Sequence, residues 1–427
     1  MGSGKTQSTI TYLNEHSDSH FIYITPYLDE AKRIKDGCPD LHFVEPKQLW
    51  KNNYSKLTHT QELILNGANI TTTHQAFKNY TPEMLEAIRK YEYTLIIDEA
   101  VDVLEECDFH EDDIQLALDA GYIKFENGSY SIVNTSYNGV AFRELFWMLK
   151  SRQITRLDID SDECGGTKRK LYYWVLPPDL VTSFRDVFIL TYMFEGQSLH
   201  SFLKIHHLPY VNIGIERTET GNGYRFCNGP GYVPDYVSHI SEMIEIVDNE
   251  KLNEIGNEET ALSMRWFEKN QSGAVQKLKN NIYNLYFNIW KGADVSERMW
   301  STYKNSMAAL KGRGYTNCFS VLNMRATNRY KTAQYLTYAC NLYMNVNEKR
   351  FYAQNGVEVD DGRYALSIML QWIWRSAIRE GQKIYIYLPS SRMRWLLRDW
   401  MDSLEKGGHD IAGEEVQSVP VLRQVPS

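Results

Sequence analysis

Metal-binding and disulfide signatures are what this 427-residue sequence most plainly lacks. Its six cysteines (Cys38, Cys107, Cys164, Cys227, Cys318 and Cys340) lie far apart, with no C-x-x-C pair. That spacing excludes a zinc ribbon and a dense secreted framework, and it fits a reducing cytoplasm. His206-His207 shows no metal-ligand spacing either. No apolar run approaches the roughly 20 residues needed to cross a bilayer, and the first residues hold neither a basic nor a hydrophobic signal region. A soluble chain with no membrane partner is expected. Positive charge is also short overall: the formal net charge is -8, which excludes binding nucleic acid through bulk positive charge. Negative charge is locally short instead. From Arg298 to Asn347 there is no Asp or Glu, while Arg298, Lys304, Lys311, Arg313, Arg325, Arg329 and Lys331 fall inside. That stretch reads equally as a basic track or as buried sheet and helix with a few solvated cations.

What the sequence does contain, over its first hundred residues, is short β-rich runs alternating with helical patterns, as in a parallel sheet with crossover helices. His20 to Thr25, Leu41 to Val44, Ala68 to Thr72 and Thr94 to Ile97 read as strands. Thr6 to Asn14, Leu28 to Asp36, Ser55 to Leu65 and Pro82 to Tyr91 read as helices, the last capped by Thr81 ahead of Pro82. The polar stretch from about 121 to 175, with turn signals at Asn127-Gly128 and Asn138-Gly139, reads as an insertion. Asp186 to Phe194 restores a buried strand, and residues 195 to 235 read as a linker with short strands. Long amphipathic patterns fill about 236 to 290. Alternation then resumes with a strand Cys318 to Leu322, helices over Thr332 to Met344 and Tyr364 to Glu380, and a strand Lys383 to Leu388. At this length two packed cores are the default. The expected division is a first lobe over 1–194, a second over 195–405 with a helical insertion, and a flexible tail over 406–427.

Two short motifs carry chemistry. Gly2-Ser3-Gly4-Lys5-Thr6 is the second half of G-x-x-x-x-G-K-[ST], in which backbone amides at a helix start surround phosphate oxygens. Lys5 then reaches the β and γ phosphates and Thr6 ligates magnesium. Met1 falls inside the motif, so the expectation is a P-loop truncated at its N-terminal end. Leu95-Ile96-Ile97-Asp98-Glu99-Ala100 is an apolar strand that delivers two carboxylates at its C-terminal end, where ligands bind in open α/β sheets. There Asp98 suits a magnesium site and Glu99 suits polarising an attacking water. Taken singly, each also reads as an ordinary cap, of a helix near a chain end or of a strand-to-helix turn. Their order along the chain favours the nucleotide reading.

With these two motifs in place, Ile24-Thr25-Pro26 ahead of a helix and Ile70 to Phe77 (ITTTHQAF) between them complete a series. It resembles the successive first-lobe motifs of superfamily-two, DEAD/DEAH-like helicases. The resemblance implies an α/β fold of two RecA-like P-loop lobes, parallel sheets flanked by helices, with ATP and Mg2+ bound between them. It also implies that Thr25, Pro26, Thr72, Thr73 and His74 contact a nucleic-acid backbone. Leu190-Thr191-Tyr192 is similar to the third motif, usually Ser/Thr-Ala-Thr, so Thr191 is implied to couple hydrolysis to strand contacts. Tyr192 departs from the small residue expected there. Gln371-Trp372-Ile373-Trp374-Arg375-Ser376-Ala377-Ile378-Arg379 resembles the sixth motif, Q-x-x-G-R-x-x-R, with Trp374 in place of glycine and Arg379 one residue late. Gln371, Arg375 and Arg379 are the implied second-lobe catalytic groups, an arginine finger among them. Asn323 to Tyr330 (NMRATNRY) resembles the corresponding block of phage-encoded helicases, which makes Arg325, Thr327, Asn328 and Arg329 implied phosphate contacts. Trp300, Tyr303 and Lys304 just upstream fit the same part, though aromatic residues at this spacing also fit a core.

The expected activity is therefore ATP hydrolysis by a helicase or translocase acting on single-stranded or duplex DNA, with RNA as the alternative polymer and replication proteins as partners. A bacteriophage replication or recombination role in the host cytoplasm is what the likeness implies. Two rivals stay open: a nucleic-acid-stimulated remodelling ATPase that separates no strands, and a hydrolysis-deficient binding module. Lys5→Ala is expected to abolish ATP turnover while the folded state survives, because a P-loop lysine is a ligand contact more than a packing element. Turnover assays beside a thermal melt check this, and loss of folding marks Lys5 as structural instead.

Overall fold

In a computed structural model, residues 4–26, 28–48, 55–126, 128–134, 137, 139–140, 142–151, 153–159, 169–218, 223–229, 231–270, 273–324, 329–407 and 419–423 are described. The first sheet is built from β1 (Phe21–Ile24), β2 (Ile70–Thr72) and β3 (Thr94–Asp98). Chain excursion through β4 (Leu104–Cys107), β5 (Ile123–Glu126), β6 (Ser129–Ile132), β7 (Gln153–Ile159) and β8 (Arg169–Val175) forms a separate antiparallel sheet. The chain then re-enters the first sheet with β9 (Asp186–Leu190) and adds the hairpin of β10 (Val211–Arg217) and β11 (Tyr224–Cys227). A third, parallel sheet holds β12 (Ile244–Ile246), β13 (Arg298–Ser301), β14 (Tyr335–Tyr338) and β15 (Ile384–Tyr387). Finally β16 (Val419–Arg423) returns to the first sheet, whose order is β11-β10-β16-β9-β3-β1-β2. The fold is thus α/β, with two RecA-like lobes whose parallel sheets are flanked by helices.

The residues of β1 and β3 explain why they lie at the centre. FIYI and TLII are apolar on both faces, the pattern of parallel strands covered on each side by helices, and every residue of FIYI is buried. Helix Lys5–Glu15 lays Ile10 and Leu13 against Phe21, Tyr23, Ile96, Phe188, Val419 and Val421 on one face. Helix Pro82–Lys90 covers the other with Met84, Leu85 and Ile88, and the Thr81 side chain caps it by accepting from Met84 N at 3.4 Å. Among the described residues, no helix is long and apolar enough to cross a membrane.

Several sequence expectations are corrected. The insertion begins at Leu104, not 121, because β4 pairs with β8 to close its sheet. Residues over 195–235 serve the first lobe: β10 and β11 extend the first sheet. The stretch 236–290 is not wholly helical, since β12 pairs in parallel with β15 at the edge of the third sheet. The helix expected over Thr332 to Met344 is instead β14, whose β-forming Tyr-Leu-Thr-Tyr run sits between β13 and β15. Leu41 to Val44 is reduced to a single bridge from Val44 to Ile70, because Pro39 starts a 3-10 turn. Phe319 likewise makes one bridge, to Trp300. The tail expected to be flexible holds the end of helix Ser391–Gly407 and then β16, which runs antiparallel to both β9 and β10.

The lobes share packing. Tyr192 and Met193, which follow β9, belong to the second lobe's core, and Phe351 and Tyr352 of helix Val346–Gln354 belong to the first lobe's. Gly196 permits a close approach: a Cβ there would lie 2.7 Å from the Arg363 carbonyl oxygen. Arg363 also pairs with Glu195 across the same seam.

Because Val421 is fully buried between β9 and β10, Val421→Asp introduces an unpaired charge into the sheet. It is expected to destabilise the protein by about 3 kcal/mol or more, read as a lowered denaturant midpoint. An unchanged midpoint contradicts the placement of β16.

Candidate nucleotide site between the lobes

The site starts at the N-terminus of helix Lys5–Glu15. Gly4 adopts a left-handed conformation (φ 79°) to start it, and a Cβ at this position would meet the Tyr224 ring at 2.6 Å, so glycine is required here. Lys5 follows, and its ammonium donates to the Thr191 carbonyl at the end of β9. Thr6, half-buried, is in the same first helical turn. Gly2 and Ser3 lie outside the described residues.

On the strand next to β9, β3 ends with Asp98. Its carboxylate accepts from Thr25 Oγ1 at 3.1 Å, and its carbonyl oxygen lies 2.9 Å from His74 Nε2. Burial first, then the neighbouring Glu99 and Glu30 carboxylates, push the Asp98 pKa up to about 7, against the lowering effect of the Thr25 hydroxyl. Glu99 sits in the left-handed region (φ 63°), a backbone conformation uncommon outside glycine and found at functional sites. It turns the chain out of the strand. Arg375 of the second lobe then meets it: Nη2 lies 2.7 Å from Glu99 Oε1, with side chains 13% and 23% exposed. Of the two arginines that the sequence expectation offered for the cleft, Arg375 is the one that meets Glu99. Arg379 is exposed at the end of the turn Ala377–Glu380. That turn interrupts the helix that would have set the two arginines on one face.

Other expected residues are distributed as follows. Thr25, Thr72 and His74 are buried, and Thr25 and His74 steady the end of β3. Pro26 and Thr73 are half-buried, and Thr73 caps the short helix His74–Phe77 through Ala76 N at 3.3 Å. Thr191 is buried, and its hydroxyl has no acceptor or donor among the described residues. Gln371 lines a cavity of about 180 Å³ with Glu99, Asp102, Glu348, Ser367 and Asn323. Burial, Asp102 and Glu106 push Glu348 up to about 7. Arg325, Thr327 and Asn328 lie outside the described residues, and Arg329 donates to the Asn317 carbonyl at 2.6 Å. The supposed basic track loses Arg298, which is buried and donates to the Ala293 and Gly314 carbonyls. Trp300 and Tyr303 are core residues.

Sequence reasoning missed Glu30 and Trp400. Glu30 gave no motif signal. Tyr192 and Trp374 were visible as departures from motif, but the residue they share, Trp400, lay outside every motif.

These features define a two-lobed α/β protein with a lysine at a helix N-terminus and a carboxylate pair facing an arginine from the opposite lobe. Its residues 238–401 match the model described as the YonV C-terminal Rossmann-like domain. The chain is 34% identical over 417 residues to the SPbeta prophage-derived uncharacterized protein YonV of Bacillus subtilis (strain 168), covering 94% of this chain and 97% of that one. It belongs to the YonV family. Distant likenesses among solved structures are an XPD helicase (TM-score 0.46, 11% identity, 95% of this chain and 94% of that one) and an apo form of XPD (TM-score 0.49, 11% identity, 95% and 93%). A third is S. tokodaii Xpd4 (TM-score 0.45, 11% identity, 97% and 94%).

The raised Asp98 pKa has a stability consequence. Below about pH 4 the carboxyl is protonated folded and unfolded alike and contributes nothing. Between there and about pH 7 the unfolded chain ionises while the folded one holds its proton, so stability falls as pH rises. Asp98→Asn removes this loss. Denaturant unfolding is expected to show the variant gaining on the parent from pH 4 to 7 and levelling above; a constant difference across that range contradicts the assignment.

Proposed function

We propose that this protein is an ATP-hydrolysing motor that acts on nucleic acid, with the nucleotide held between the two lobes. The observation that carries the reading is the pairing of Arg375 with Glu99, the residue after Asp98 at the end of β3, while Lys5 donates to the Thr191 carbonyl just past β9, the strand paired with β3. An arginine delivered from the second lobe to the carboxylate beside a desolvated aspartate is the arrangement that phosphoryl transfer requires, because its transition state gathers charge on the transferred phosphoryl oxygens.

The residue types fit magnesium. Mg2+ takes one or two carboxylates together with substrate phosphates, and Asp98 with Thr6 supplies that set beside Lys5. A cation there also favours the ionised Asp98 that burial and like charge disfavour. When bound, the ion withdraws charge from phosphate oxygens.

The chain's own residues do the rest. Lys5 exchanges the Thr191 carbonyl for phosphate oxygens, a stronger charge-assisted contact. Arg375 leaves Glu99 for the transferred phosphoryl group, which frees the Glu99 carboxylate to accept a proton from the attacking water. The opening and closing of the lobes then moves the protein along a strand, with Pro26, Thr73, Arg325, Thr327, Asn328 and Arg329 as phosphate contacts and Thr191 as the coupling residue. A DNA substrate and a phage replication or recombination role follow the resemblance and the prophage origin of the relative. Burial of Thr25, Thr72 and His74 favours a second reading, a remodelling ATPase that moves on nucleic acid without separating strands.

ATP turnover with and without single-stranded DNA or RNA tests the proposal. Stimulation is expected, with Arg375→Ala lowering kcat on the order of a thousandfold. Turnover that no nucleic acid stimulates overturns the motor reading, and stimulation without strand displacement selects the second one.

A further inference from the structure

Two of the departures from the motifs that this sequence resembles are aromatic residues. Tyr192 stands where a small side chain is expected, and Trp374 where glycine is expected. In the folded chain both rings meet the same partner. Trp400, on helix Ser391–Gly407, donates through Nε1 to Tyr192 Oη at 2.9 Å. Its ring stands edge-on to Trp374, with centroids 5.7 Å apart and planes at 90°. Tyr192, Trp374 and Trp400 are 7%, 7% and 1% exposed, and all belong to one core cluster.

Each outer member of this trio adjoins a group at the nucleotide site. The residue before Tyr192 is Thr191, whose carbonyl takes the Lys5 ammonium, and Lys5 Nζ also lies 6.0 Å from the Tyr192 ring centroid. The residue after Trp374 is Arg375, which holds Glu99. The trio therefore closes a circuit through the second lobe: Lys5, Thr191, Tyr192, Trp400, Trp374, Arg375, Glu99.

We propose that Tyr192, Trp400 and Trp374 are positioning residues that couple occupancy of Lys5 to release of Arg375, so that the arginine reaches the phosphoryl group only after Lys5 has been drawn off Thr191. The proposal rests on the ATPase reading above and deepens it. Close-packed aromatic cores pass displacements between neighbours because they have few alternative packings. When phosphate removes the ammonium from the Thr191 carbonyl, the 191–192 segment loses its tie to the first helix. Tyr192 then carries Trp400 through their hydrogen bond, and Trp400 carries Trp374 through ring contact. The two departures are compensating: a small residue at 192 would not reach Trp400, and glycine at 374 would present no ring to it.

Trp400→Phe keeps most of the ring and removes the donor; Tyr192→Phe keeps the ring and removes the hydroxyl. Each is expected to lower kcat roughly tenfold, with KM for ATP within about twofold of the parent, and the double variant is expected to be no slower than either single. A thermal melt of each variant separates this from simple loosening of the core, and Tyr192→Phe stands in if Trp400→Phe fails to fold. Parent-like kcat in the folded single variants, or effects that multiply in the double, overturns the coupling while leaving the ATPase reading intact. Absence of Mg-ATP binding to the parent protein, measured by calorimetry, overturns both.

Discussion

Everything at the cleft depends on the ion pair between Glu99 and Arg375. It is too sheltered to behave as a surface pair and too accessible to carry the full desolvation cost of a buried one, so a net worth on the order of 2 kcal/mol is reasonable. Its larger effect is directional. Glu99 holds a left-handed backbone that turns it out of β3 toward the second lobe, and Arg375 leaves its helix at the turn that carries it back. Arg375 Nε is buried and finds no hydrogen-bond partner among the described residues, so in this conformation the guanidinium leaves one donor unmade. The interlobe seam is also held by Arg363 on Glu195 and by Gly196 against the Arg363 carbonyl.

The charges of the cleft are satisfied by the protein itself: Lys5 by a carbonyl, Arg375 by Glu99, and Asp98 by the proton its raised pKa retains near neutrality. A ligand must displace each of these, so part of its intrinsic affinity is consumed in opening the site.

Much of the first lobe was legible in the sequence because its signals are local. The doubly buried runs FIYI and TLII, the cap at Thr81 and the Gly-Lys-Thr start of the first helix each declare themselves within a few residues. What failed depends on partners far along the chain. Tyr335 to Tyr338 reads as helix until β13 and β15 are seen on either side, and Val419 to Arg423 reads as tail until β9 and β10 supply its edges. Within the candidate site, the motifs singled out Lys5, Asp98, Glu99 and Arg375, and the structure adds the Glu99–Arg375 contact. Thr25 and His74 were identified as site residues but given an outward role, since a motif records that a residue matters and not which way it faces. Trp400 carried no motif at all, and only contact with two unusual residues reveals it.

The most direct test of the central claim is a double-mutant cycle of Glu99→Gln and Arg375→Gln, read by denaturant unfolding. If these side chains join the lobes as described, the cycle gives a coupling of about 1–3 kcal/mol that shrinks in high salt. Additivity within about 0.3 kcal/mol would mean that the pair does not form in solution and would contradict the account of how the lobes meet.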